Sequence, residues 1–186
     1  MLLYLIIGET GSGKSTLAKH VWNKSTNAVV YDFQNEYEGR VYSKNDLRGK
    51  FKILPTTHEP DLIFDLDKIL HGYTFILEEC TGLFATGKVP ERYVKRILSK
   101  RHTKNNWVLI FHSIQDVPPR FFRFCDVVIL FRTGDFEKDV RNKVPQYVEH
   151  YTHLQNSNVK KISPQGYPIS DFVTINRSNL SKKTLE

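Results

Sequence analysis

Cysteine is scarce in this chain: two residues, Cys80 and Cys125, far apart and without CxxC spacing. That scarcity excludes a disulfide framework and a cysteine-built zinc site, and it sets a reducing, cytoplasmic compartment as the expectation. Long hydrophobic runs are also missing. The longest apolar stretches, LLYLII and DVVILF, fall far short of the roughly 18 residues of a membrane helix, so no membrane partner is expected. The opening MLLYLIIGET lacks a basic leader and a small-residue cleavage site, and it reads as a buried strand rather than a signal peptide. No internal repeat is present.

What remains is ordinary globular usage. The chain has 186 residues, 40% hydrophobic and 25% charged, which is a single-domain length able to bury a sizeable core. Its net charge of +7 is uneven: residues 88–104, KVPERYVKRILSKRHTK, hold seven Lys/Arg against one Glu, a local +6 that leaves about +1 elsewhere. Such a cluster is either a footprint for a polyanion or a solvated helix face.

Strand-like runs occur at Leu2–Ile7, Ala28–Asp32, Phe51–Leu54, Tyr73–Leu77, Trp107–Phe111 and Val127–Phe131. Helical patterns fall between them. Lys14–Trp22 is one, and Pro60–Leu70 is a second, with Leu62, Ile63, Leu66, Ile69 and Leu70 as its apolar set. Glu91–His102 is a third, with Tyr93, Val94, Ile97 and Leu98 on one side. This alternation implies an α/β fold with a mostly parallel sheet and helices on both faces. After residue 135 the pattern weakens to one or two short helices and a strand at Phe172–Ile175. We expect one domain over residues 1–176 and a polar, basic tail over 177–186.

Chemistry enters directly after the first strand. GETGSGKST, Gly8 to Thr16, matches G-x-x-x-x-G-K-[ST] in a strand–loop–helix setting. Gly8, Gly11 and Gly13 let the backbone curl, so that amides of Glu9, Thr10, Ser12 and their neighbours point inward at a phosphate. Lys14 then reaches the terminal phosphates, Ser15 offers a hydroxyl to Mg²⁺, and Thr16 completes the loop.

FILEEC, residues 75–80, is an apolar strand ending in two carboxylates. In a parallel sheet its tip lies on the same edge as the phosphate loop. Two roles need filling there: Glu78 fits the holder of Mg²⁺, and Glu79 the base that orients a water. The bland reading is a strand end reaching solvent. WVLIFHSIQDVPPRFF supplies a third edge, where Ser113 or Gln115 would hydrogen-bond the γ-phosphate or the water. His112 reads as a packed or hydrogen-bonded residue.

With these residues in place the chain resembles the HerA/FtsK superfamily of P-loop ATPases. GETGSGKST is similar to its phosphate loop, and FILEEC to its second acidic strand with a catalytic Glu. AVVYDFQNEY, with Asp32, Glu36 and Tyr37, resembles its second strand, an acid followed by an aromatic. KRHTKNNWVLIFHSIQDVPPRFFRFCDVVILFR resembles its sensor segment. Glu78 stands where the family has Asp, and Ser113 or Gln115 where it has Gln.

The resemblance implies a RecA-like, additional-strand fold and ATP with Mg²⁺ as cofactors. It also implies a homo-oligomeric ring that moves double-stranded or single-stranded DNA through backbone contacts. The chain's shortness favours the minimal viral genome-packaging members, with a capsid or portal partner and a host-cytoplasmic or virion-associated location. A neighbour's Arg would complete the site, from Arg101, Arg120, Arg123 or Arg132. Arg101 is favoured because a helix through His102 would place it on the apolar side; a helix that ends before it would leave it in solvent. Adenine is implied by the resemblance; no NKxD-type guanine-reading segment occurs. Two alternatives stand beside this reading: a small-molecule kinase, and a nucleotide-controlled binding module with little turnover.

Overall fold

A computed structural model describes residues 1–84, 90–157, 160–162 and 168–176, with the side chains of 100, 101, 160–162 and 168–170 excepted. The expected tail at 177–186 lies outside the described residues.

The first strand, β1 (Leu3–Ile7), sits near the middle of an eight-stranded sheet. β6 (Asn106–Phe111) and β7 (Val127–Phe131) flank it in parallel. Beyond β6 come β5 (Thr74–Leu77), β2 (Ala28–Tyr31), β4 (Lys50–Ile53) and the short β3 (Arg40–Val41), all parallel. β10 (Phe172–Asn176) closes the other edge as the one antiparallel member of this sheet. The order β10-β7-β1-β6-β5-β2-β4-β3 places an additional strand, β6, between the phosphate-loop strand and the strand of FILEEC. This is the α/β arrangement expected. A separate hairpin pairs β8 (Lys160–Ile162) with β9 (Pro168–Ser170).

Alternation along the strands builds two cores. Leu3, Leu5, Ile7, Val29, Tyr31, Phe75, Leu77, Trp107, Leu109 and Phe111 face one way. They meet α2 (Asp61–Ile69), α3 (Cys80–Phe84), α4 (Glu91–Leu98), α6 (Pro119–Phe124), α7 (Glu137–Lys143) and α8 (Val148–Asn156). Ile6, Ala28, Val30, Ile76, Val108 and Ile110 face the other way, under α1 (Lys14–Lys24) and Tyr37. Both faces are covered, but unequally. Cys80 and Cys125 are both buried.

Two helices depart from their sequence patterns. Glu91–His102 is not continuous: α4 ends at Ser99, whose hydroxyl caps the Arg96 carbonyl at 2.9 Å, and a separate turn, α5 (Lys100–Thr103), follows. A serine that bonds its own turn competes with helix continuation. The projection that put Arg101 on the apolar side assumed one continuous helix, and the side chain of Arg101 lies outside the described residues. In α2 the buried set is Ile63, Phe64, Leu66 and Asp67, while Ile69 is 60% exposed. Asp67 turns inward because Asn105 donates to it at 2.8 Å.

Candidate active site

The parallel strands all end on one edge, and their last residues bring the polar groups together. Gly8 N–H donates to the Phe111 carbonyl (3.1 Å), and Glu9 N–H to the Arg132 carbonyl (2.9 Å). The phosphate loop is thus anchored to both flanking strands. Only glycine fits at position 8, since a Cβ there would lie 2.6 Å from the Phe131 Cβ and 2.7 Å from the Ser12 Oγ. Gly13 caps α1 at φ 101°, a left-handed conformation that costs glycine little. No side chain caps that helix and no acid occupies its first turn, so its N–H groups and positive end stay available to an anion.

Lys14 is almost wholly buried, and its amine donates to the Glu9 carbonyl at 2.7 Å, bridging the two ends of the loop. Burial pushes its pKa down. Glu79, then Glu9, then Glu78 pull it back up. Glu79 is therefore the leading negative charge felt by this ammonium. Ser15 and Thr16 open α1, with Ser15 exposed.

The two carboxylates of FILEEC have separate fates. Glu78 continues the parity of Ile76 toward the α1 face and is 7% exposed. It accepts a 2.8 Å hydrogen bond from the Tyr37 hydroxyl. Burial raises its pKa, the Tyr37 bond opposes that, and Asp32 and Glu36 add to the rise. Tyr37 is held in turn by Asp32, whose two oxygens accept the Glu36 and Tyr37 N–H groups, each at 3.0 Å. Glu79 leaves the strand at φ 54° and turns its carboxylate to His112. The His112 Nε2 lies 2.9 Å from one oxygen and 3.1 Å from the other.

These groups fit Mg²⁺. One buried carboxylate and one exposed hydroxyl at a helix start make a partial ligand set of the kind Mg²⁺ completes with phosphates and water. No cluster of three His, Cys, Asp or Glu that would cage a metal occurs among the described residues. The Ser12 hydroxyl, buried and without a partner, is a further polar atom facing the loop.

After β6 the segment 112–116 is held from three sides. Thr81 accepts the His112 N–H at 3.1 Å, and its hydroxyl reaches Asp116 at 3.3 Å. Asp135 accepts the Ile114 and Gln115 N–H groups at 2.8 and 3.2 Å. Ser113 Oγ accepts the Asp116 N–H at 3.1 Å, while the Gln115 side chain is exposed. Thr81 and Asp135 carried no sequence signal beyond their place near strand ends. The sequence marks Asp32 as a strand end, and Tyr37 only through the resemblance.

Arg132 leaves β7 beside the phosphate loop, its Nε 3.9 Å from Glu9 Oε1, so it stands in the chain's own site. Arg120 and Arg123 are exposed on α6. In the basic stretch, Arg92 pairs with Asp61 at 2.9 Å and Lys95 with Glu91 at 3.3 Å. Both pairs are solvent-exposed and hold these side chains only weakly.

No protein-family model matches the sequence, and no curated protein does. Solved structures do match. The DNA-packaging ATPase B204 of Sulfolobus Turreted Icosahedral Virus aligns with a TM-score of 0.74 at 16% identity, over 96% of this chain and 94% of that one. The genome packaging NTPase B204 of Sulfolobus turreted icosahedral virus 2, in complex with ATP-gammaS, aligns at 0.72 and 16% identity, over 96% and 93%. The pCW3 conjugation coupling protein TcpA, also with ATPgS, aligns at 0.53 and 16% identity, over 80% of this chain and 53% of that one. At these identities the likeness is one of fold. The chain has the fold of these packaging ATPases and of the conjugation coupling protein.

Proposed function

We propose that the chain is an ATPase that couples hydrolysis to DNA movement, in the manner of a minimal genome-packaging motor. The observation that carries this is the position of Glu79. Its carboxylate follows β5 on the phosphate-loop edge and lies 2.9 Å from the His112 Nε2. A carboxylate so placed can take a proton from water as the water oxygen attacks the γ-phosphorus. The bond from that phosphorus to the β,γ-bridging oxygen breaks, leaving ADP, phosphate and one proton.

In this reading the loop amides, the α1 N-terminus and Lys14 bind the β- and γ-phosphates. Ser15 and Glu78 would hold Mg²⁺, which would supply positive charge against the negative charge that develops on the phosphates. The inserted strand β6 puts Ser113 and His112 between the phosphate loop and FILEEC. The γ-phosphate would then be approached from two strands at once. A small-molecule kinase could use the same carboxylate on an acceptor hydroxyl, and the dependence of turnover on DNA separates the two readings.

The motor reading adds a homo-oligomeric ring with an Arg from a neighbour, drawn from Arg101, Arg120 and Arg123. It also adds DNA backbone contacts, with a capsid or portal as the docking partner. The test is ATP hydrolysis by the purified chain with and without long double-stranded DNA, beside Glu79→Gln. DNA-stimulated turnover that disappears in Glu79→Gln is expected. Phosphate transfer to a small acceptor, indifferent to DNA, would overturn the reading.

A further inference from the structure

The sequence gives His112 no partner, yet the structure makes it the residue in closest polar contact with Glu79. Both Glu79 oxygens lie within hydrogen-bond distance of Nε2, at 2.9 and 3.1 Å. The other ring nitrogen, Nδ1, is buried and has no partner. The tautomer that satisfies most groups carries its proton on Nε2, where the carboxylate accepts it.

The ring's own backbone is fixed as well. Its N–H donates to Thr81 Oγ1 at 3.1 Å, and Thr81 belongs to α3, which starts directly after Glu79. The preceding residue, Phe111, accepts the Gly8 N–H at 3.1 Å. His112 therefore spans the short path from phosphate loop to carboxylate. Glu79 needs such a support. Its backbone sits at φ 54°, off the strand's regular geometry, and a glutamate side chain with three rotatable bonds is otherwise free to swing into solvent.

We propose that His112 is a positioning residue for Glu79: its Nε2–H fixes the carboxylate rotamer so that it points at the attacking water. The inference rests on the reading of Glu79 as the group that orients that water. It assigns His112 no contact with nucleotide. Its loss should act on turnover and leave binding alone.

The experiment measures steady-state ATP hydrolysis and fluorescent ATP-analogue binding for His112→Ala, His112→Asn and His112→Gln, alone and with Glu79→Gln. Glutamine carries an amide N–H to about the place of Nε2, whereas asparagine is too short to reach Glu79. His112→Ala and His112→Asn are expected to lower kcat roughly tenfold to a hundredfold, the usual consequence of misplacing a catalytic group by about 1 Å, with unchanged KM and nucleotide Kd. His112→Gln is expected to restore most of the rate. In the Glu79→Gln background His112→Ala is expected to have no further effect, because the two act as one unit.

If His112→Ala does not fold, as judged by its thermal transition, the glutamine and asparagine variants decide the matter between them. Equal rates for those two, a wild-type rate in His112→Ala, or a loss that adds fully to that of Glu79→Gln would each overturn the inference. Full turnover in Glu79→Gln, or none in the wild-type chain, would remove the reading of Glu79 itself and the inference with it.

Discussion

The Tyr37 hydroxyl donates a 2.8 Å hydrogen bond to Oε1 of Glu78, across the 41 residues that separate the loop after β2 from the tip of β5. Both groups are buried, and the Tyr37 ring meets Trp22 edge-on at 5.6 Å. The bond orients a carboxylate whose charge burial disfavours. It also raises the energy of ionising Tyr37, whose pKa is pushed far up, first by burial and then by Glu78.

Tyr37→Phe keeps the ring and removes the donor. A buried carboxylate oxygen then loses a charge-assisted partner, at a cost of about 1–3 kcal/mol. The expected outcome is a lower thermal transition and a higher Mg²⁺ requirement for hydrolysis. A Mg²⁺ titration of the variant checks this. An unchanged Mg²⁺ midpoint would mean that Tyr37 braces the fold without tuning Glu78.

Much of this site was legible in the sequence because it follows strand parity. On the α1 face, Ala28 and Val30 lead to Asp32, Ile76 leads to Glu78, and Val108 and Ile110 lead to His112. Counting by two along each strand puts the polar residue at the sheet edge. The phosphate loop is local and was read whole. What stayed hidden is nonlocal: no spacing announces that His112 will meet Glu79, since that contact depends on a left-handed residue just past β5. The break at Ser99 is weakly marked for a different reason. The apolar spacing of α4 is regular, and the break is marked only by Ser99, whose hydroxyl bonds the Arg96 carbonyl of its own turn.

Asp67 gives a pH prediction. It is fully buried, with Asn105 donating to one oxygen and the Trp107 indole N–H beside the carboxylate at a geometry short of a hydrogen bond. Burial raises its pKa, and its hydrogen bonds only partly oppose that. For an acid raised in the folded state, the stability contribution is fully present below the unfolded value, about 4. It is lost as pH rises through the folded value. The wild-type advantage over Asp67→Asn in urea midpoint should therefore shrink as pH rises from acid to neutral. A pH-independent difference would sink this account.

Gly8→Ala tests the anchoring of the phosphate loop. The added methyl would meet Phe131 Cβ and Ser12 Oγ at under 3 Å, with the Arg132 carbonyl at 3.3 Å. None of these is the free end of a long side chain. A loss of about 1–3 kcal/mol in stability is expected, with weakened nucleotide binding because the loop must shift. Calorimetric unfolding and analogue binding on the same sample check both halves.

Ser113 and Gln115 were the two candidates for the polar contact after β6, and their surroundings separate them. Ser113 Oγ accepts the Asp116 N–H, which fixes the oxygen while leaving its own hydrogen to donate. Gln115 has its backbone committed to Asp135 and Lys143 and its side chain exposed, so holding it on a phosphate would cost rotamer freedom that Ser113 has already lost. The larger loss of turnover is therefore expected from Ser113→Ala, roughly tenfold to a hundredfold in kcat, and the smaller from Gln115→Ala. Ser113→Ala also frees the Asp116 amide, so hydrogen exchange at that amide should quicken in this variant and not in Gln115→Ala. The reverse order of rates would assign the contact to Gln115, and would require the turn held by Asp135 to rearrange when nucleotide binds.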